Sequence, residues 1–83
     1  MNNNLDVIID SRLLRLELAE MRKSKNLTQS QVAERSGLSK STISNIESGE
    51  EKGVTLTSIM KYARAIECSL FIKSKGEWLW KKN

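Results

Sequence analysis

Residues Thr28 to Gly49, TQSQVAERSGLSKSTISNIESG, decide the fold. The Thr28 hydroxyl can accept a hydrogen bond from the free amides of a new first turn, and Gln31 stands three residues on, at capping-box spacing. Val32 and Ala33 can face inward while Gln29, Gln31, Glu34 and Arg35 stay in water. Gly37 stops this segment, because glycine adopts the left-handed conformation that lets a chain leave a helix and turn sharply. Ser39 can cap a second segment, in which Ile43 and Ile46 stand three apart and share a face. Gly49 ends it. The stretch predicts a helix, a tight turn and a second helix.

The outer face of the second helix is left with Lys40, Ser41, Ser44, Asn45 and Ser48. These side chains form hydrogen bonds and are too small or too polar to build a core. An α-helix fits the major groove of B-DNA, where lysine and asparagine match the edges of guanine and adenine. A plain helical hairpin with a solvated face would show the same local pattern, so the pattern alone leaves both readings open.

On the N-terminal side, Met1 to Asn4 is a polar start expected to fray. Leu14, Leu18 and Met21 then lie at helical spacing, and Leu5, Ile9, Leu13 and Leu16 form a second stripe. A core needs one stripe, so the second is expected against a partner chain or the C-terminal segment. The helix starts either near Asp6 or at a cap on Asp10 or Ser11, and Val7 to Ile9 also fits a short strand. Its end is expected at Asn26, after the basic Arg22, Lys23 and Lys25.

On the C-terminal side, EEKGV forms a loop in which Lys52 can reach a DNA backbone and Gly53 permits a turn. Thr55 or Thr57 caps the next helix, whose apolar face reads as Leu56, Ile59, Met60, Ala63 and Ile66. After Cys68 the period changes to two, in SLFIKS and again in EWLWKK. A two-residue turn at Lys75-Gly76 would set Phe71 opposite Trp80 and Ile72 opposite Leu79. A lone two-stranded hairpin is marginal in water, and dimerisation would supply its cover.

Composition narrows the function. At 83 residues the chain makes one small domain. With 39% hydrophobic and 29% charged residues it reads as globular and neither disordered nor membrane-embedded. No apolar run is long enough to cross a bilayer and no leader-like segment opens the chain, so the expected location is the cytoplasm. Fourteen Lys and Arg against ten Asp and Glu give a net charge of +4, consistent with a polyanionic partner without demanding one. Histidine is absent, which removes the usual general base and any Ser-His-Asp or Cys-His pairing. Cys68 is the single cysteine and reads as a small packed side chain. No catalytic set, metal site or cofactor motif is expected.

The pattern Thr28-Gln29, Ala33, Gly37, Ser39, Ile43-Ser44-Asn45-Ile46-Glu47 and Gly49, with flanking helices from Leu14 to Ile66, resembles the helix-turn-helix of the phage-repressor and Cro-like family, also called the xenobiotic-response-element (XRE) family. The resemblance implies a mainly α, lambda-repressor-like bundle of four to five helices with a C-terminal β-strand or hairpin used in dimerisation. Residues 1–11 would be an N-terminal arm or helix extension, 12–67 the DNA-binding domain and 68–83 the dimerisation segment. By position in the motif, Lys40, Ser41, Ser44 and Asn45 would touch base edges, while Gln29, Ser39 and Ser48 would hold phosphates with help from Lys52. The family likeness also implies that Arg22 and Glu47 join, locking the reading helix to the first one.

The run TLTSIMKYARAIECSLFIK is similar to HigA-type and HipB-type antitoxins, in which the strand pairs with its counterpart in the other subunit. That likeness assigns Leu70, Phe71, Ile72, Trp78 and Trp80 to dimerisation, although the two tryptophans depart from the plain HipB-like ending. They could extend a dimer sheet, pack on the first helix, offer a toxin-binding patch or stack on bases. The expected partners are double-stranded DNA bearing an inverted-repeat operator, a second copy of the chain and a cognate toxin. Two functions follow: a dimeric repressor, or an antitoxin that neutralises a protein and regulates its own promoter.

Overall fold

The amphipathic patterns resolve into four helices and three short strands in the computed structural model, which describes residues 5–8, 11–50, 54–72 and 78–82. Strand β1 (Leu5–Ile8) precedes helices α1 (Ser11–Ser24), α2 (Gln29–Ser36), α3 (Lys40–Ser48) and α4 (Leu56–Ala65), and strands β2 (Cys68–Ile72) and β3 (Trp78–Lys82) follow. The helix boundaries are set locally. Asn26 adopts φ 59 beyond the end of α1, where its short side chain tolerates the left-handed region. Thr28 and Gln31 exchange the two bonds of a capping box, at 3.0 and 2.7 Å. Gly37 and Gly49 close α2 and α3 at φ 77 and φ 84. Thr55, not Thr57, caps α4 and does so with a second capping box to Ser58.

The helices bury Leu14, Leu18, Val32, Ile43, Ile46, Ile59, Tyr62, Ala63 and Ile66 in one cluster, which Cys68 joins from β2. Met21, Leu27, Ala33, Leu38 and Leu70 pack around it. Of the two stripes on α1, the Leu14 and Leu18 stripe is inward, whereas Leu13 and Leu16 remain about half exposed. The expected face of α4 needs correcting. Leu56 and Met60 are 45% and 47% exposed, and the fully buried Tyr62 takes part in the core in their place. The helix is rotated so that the phenol ring lies inside, where its hydroxyl finds a carboxylate on α3.

The sheet departs further from expectation. β3 lies between β1 and β2, antiparallel to both. Residues 5–8 therefore form a strand and not a helix extension, and α1 starts at Ser11, the later of the expected starts. Pairing with β3 gives that segment the backbone partners a frayed helical turn would lack. The third strand, which a hairpin needs for stability, comes from the chain's own N-terminus. The register is also one residue away from the expected one: Phe71 pairs with Leu79, Ile72 with Trp78 and Leu70 with Trp80. A slip of one exchanges every partner in the ladder. The Lys75-Gly76 turn and Lys52 lie outside the described residues.

Candidate nucleic-acid interface

The outer surface of α3 begins at its cap. The Ser39 hydroxyl accepts from the Thr42 amide at 3.1 Å and shares a second bond with the Thr42 hydroxyl at 2.9 Å. From there Lys40, Ser41, Ser44 and Ser48 are exposed and Asn45 is half-buried. At about 100° per residue, Lys40, Ser44, Ser48, Ser41 and Asn45 occupy an arc of about 140°. The completely buried Ile43 and Ile46 lie across the helix from that arc. A row of polar side chains backed by a rigid apolar anchor can be presented to a groove without first unpacking the core.

Glu47 anchors the helix from behind. Arg22 reaches it from α1 with Nε donating to Oε2 at 2.6 Å and Nη2 to Oε1 at 2.9 Å, a forked geometry that is stronger and more directional than a single bond. Gln29 Nε2 donates to Oε1 at 3.0 Å and the Tyr62 hydroxyl to Oε2 at 2.5 Å. The remaining Arg22 nitrogen, Nη1, donates to the Leu27 carbonyl at 2.7 Å. Thus one carboxylate ties α1, α2, α3 and α4 together, with the Arg22 and Glu47 side chains only 11% and 9% exposed.

The electrostatics follow from this burial. Desolvation pushes the Glu47 carboxyl up, but the hydrogen bonds from Arg22, Tyr62 and Gln29 with the Arg22 charge outweigh it and hold the group below its ordinary range. The bond to Glu47 raises Arg22 further above its usual value. Burial, and then the carboxylate that accepts its proton, push the Tyr62 phenol well above the ordinary range.

Beside the polar arc lies an open groove of about 490 Å³, lined by Lys23 and Asn26, the Thr28–Ser30 start of α2, and Lys40. The amides of Gln29 and Ser30 are the first of α2 and have no carbonyl within the helix to bond, so the groove joins helix N-terminal donors to two lysines. Gln29 sits on its edge with its side chain turned to Glu47, yet an amide carries two N–H donors and a second remains for an anion. Ser48 stays exposed and donates its hydroxyl back to the Asn45 carbonyl at 3.3 Å. Of the residues assigned to dimerisation, Leu70 packs against the core, and Phe71, Ile72, Trp78 and Trp80 hold positions in the β2–β3 ladder.

Sequence reasoning missed Lys23 and Ser30 at the groove, Tyr62 behind α3, and Arg15. Arg15 is 4% exposed and donates to the carbonyls of Asn45, Ile46 and Glu50 at the end of α3. No local signal marked it, because a residue one position after Leu14 lies about 100° round the helix from that stripe and its partners are remote in sequence. Among the described residues no cluster of His, Cys, Asp or Glu could hold a metal ion, and no helix is long and apolar enough to cross a membrane.

Residues 18–72 match the helix-turn-helix family. Among solved structures, a chain of the HipA-HipB-O2-O3 complex is 28% identical at a TM-score of 0.72, covering 82% of this chain and 94% of that one. A structure named "MDT Protein" gives the same figures. The restriction-modification controller protein C.AhdI from Aeromonas hydrophila is 34% identical at a TM-score of 0.58, covering 68% of this chain and 82% of that one. No curated protein matches the chain. The chain belongs to the helix-turn-helix family of XRE-type, phage-repressor and Cro-like regulators, whose members act as DNA-binding transcriptional regulators or antitoxins.

Proposed function

We propose that the protein is a sequence-specific repressor that binds an inverted-repeat operator as a homodimer. The observation that supports this best is the solvent-facing polar arc of α3, backed by Ile43, Ile46 and the Glu47 network. In this reading Lys40, Ser41, Ser44 and Asn45 discriminate bases. Gln29, Ser39, Ser48 and Lys52 hold phosphates with the groove lined by Lys23 and Lys40. One copy carries a single reading helix of nine residues, so occupying two successive major grooves about 34 Å apart requires a second copy. Dimerisation is assigned to the sheet, with Leu70, Phe71, Ile72, Trp78 and Trp80 in or beside it.

Selection of bound duplexes from a random pool by the purified protein tests the reading. The recovered sites should be symmetric. Lys40→Ala and Asn45→Ala should each cost about 1 to 3 kcal/mol on the selected site and little on unrelated DNA. Affinity should also fall steeply as salt rises, because phosphate neutralisation releases counterions. Equal losses on every duplex, or a flat salt response, would contradict the assignment.

A second reading is supported by the likeness to a chain of the HipA-HipB-O2-O3 complex over 94% of that chain's length. Here the protein is an antitoxin that neutralises a toxin and represses the promoter they share. Co-purification of a stoichiometric partner encoded beside it would favour this reading, and the DNA-binding face would serve both.

A further inference from the structure

The last turn of α3 contains no basic residue to meet the partial negative charge at its end, and it carries Glu47, which adds to that charge. Arg22 answers the carboxylate. The backbone carbonyls of the turn are answered separately, by Arg15 of α1. Its Nε donates to Ile46 O at 3.0 Å, and its Nη2 donates to Asn45 O at 2.7 Å and to Glu50 O beyond the Gly49 cap. With 4% of its surface exposed, Arg15 lies beneath the reading face and offers nothing to DNA directly. A guanidinium is a rigid planar fork, so it can meet these three carbonyls together only when the turn sits at one angle and one axial position relative to α1.

The two ends of α3 are therefore held by different devices. Lys40 and Ser41 belong to the first turn, fixed by the Ser39 cap and the Gly37 turn. Asn45 opens the last turn, where the regular backbone ladder runs out and Arg15 meets the carbonyls of Asn45 and Ile46 from outside the helix. We propose that Arg15 is a positioning residue for base reading: it fixes the C-terminal turn of α3 and through it the fit of Asn45 to its base pair. This rests on α3 being the base-reading helix.

The experiment uses the full chain and duplexes selected from a random pool by the wild-type protein. Asn45→Ala and Lys40→Ala first identify which base pair each side chain discriminates. Arg15→Met should then lose discrimination about tenfold at the Asn45 base pair, the scale of one lost base contact. At the Lys40 base pair, and on a scrambled duplex of the same length, it should stay within about twofold of wild type by the same measure. Arg15→Lys, which keeps the charge and part of the donor set, should recover some of the loss. Hydrogen exchange should show the amides of the last α3 turn losing protection in Arg15→Met while those of the first turn keep theirs. Equal loss at both base pairs, or none, would overturn the proposal. Failure of both Arg15 variants to fold would also overturn it, because the arginine would then hold the fold and not aim a helix. If the wild-type protein enriches no duplex, or neither alanine variant relaxes any base pair, the underlying reading of α3 fails first and is recognised as such.

Discussion

Glu47 is the residue on which the geometry of the interface converges, and its ionisation is measurable. The folded carboxyl ionises at lower pH than an unfolded one, despite burial, because Arg22, Tyr62 and Gln29 all donate to it. Its contribution to stability is thus complete above the unfolded value of about 4.3 and is lost as pH falls through the folded value below it. The stability difference between wild type and Glu47→Gln, taken from denaturant midpoints across pH, should be largest near neutrality and shrink below about pH 4. A gap that stays constant until acid unfolding would mean the carboxylate charge is not what the network uses. Tyr62 supplies an independent readout because it is the chain's only tyrosine. Its raised phenol pKa means that phenolate absorbance should appear only as the protein unfolds in alkali, above the ordinary value of about 10, and earlier in Glu47→Gln. Titration of the folded protein at the ordinary value would contradict the buried bond.

At the scale of elements, the turn between α2 and α3 aims α3, the helix proposed to read bases, and its cost is confined to the backbone. Gly37 sits at φ 77 with no atom within 4 Å of where a Cβ would stand. Gly37→Ala should therefore destabilise by about 1 kcal/mol through conformation alone, and Gly37→Asn by less, since asparagine tolerates the left-handed region. Denaturant midpoints at unchanged slope would check this, and an Ala variant as stable as wild type would exclude a left-handed requirement. Features of this kind were legible in the sequence because they are local: Thr28 with Gln31, Gly37, Ser39, Asn26 and Gly49 each carry their signal within a few residues. The roles of Arg15 and Tyr62 were not legible, because their partners lie 31 and 15 residues away and only the packed fold brings them together. The β2–β3 register was missed for a related reason. Strict alternation would specify a register, but Leu70-Phe71-Ile72 and Trp78-Leu79-Trp80 are apolar on both faces and leave a shift of one residue open, and that shift rewrites every pairing.

For the molecule as a whole, α1 acts as the frame to which the rest is fastened. Arg15 holds the end of α3, Arg22 holds Glu47 and the Leu27 carbonyl, and Lys25, one residue past the end of α1, donates to the Ile66 carbonyl at the end of α4, at 2.5 Å. The sheet performs the corresponding task for the two ends of the chain, because β3 is the strand both others pair with. That asymmetry separates the sheet's internal role from its proposed role in dimerisation. Proline removes a ladder donor and is tolerated at outer positions far better than in a central strand. Leu79→Pro, in β3, should therefore lower the unfolding midpoint well beyond Val7→Pro in β1 while leaving most of the helical circular dichroism in place. If the dimer is built on the sheet, Leu79→Pro should also sediment as a monomer at concentrations where wild type is dimeric, retaining only weak, salt-sensitive binding to any duplex. Val7→Pro should keep the dimer. A Leu79→Pro protein that dimerises and binds its operator as wild type does would move the subunit contact off the sheet, and the half-exposed Leu13 and Leu16 of α1 would become the surface to examine next.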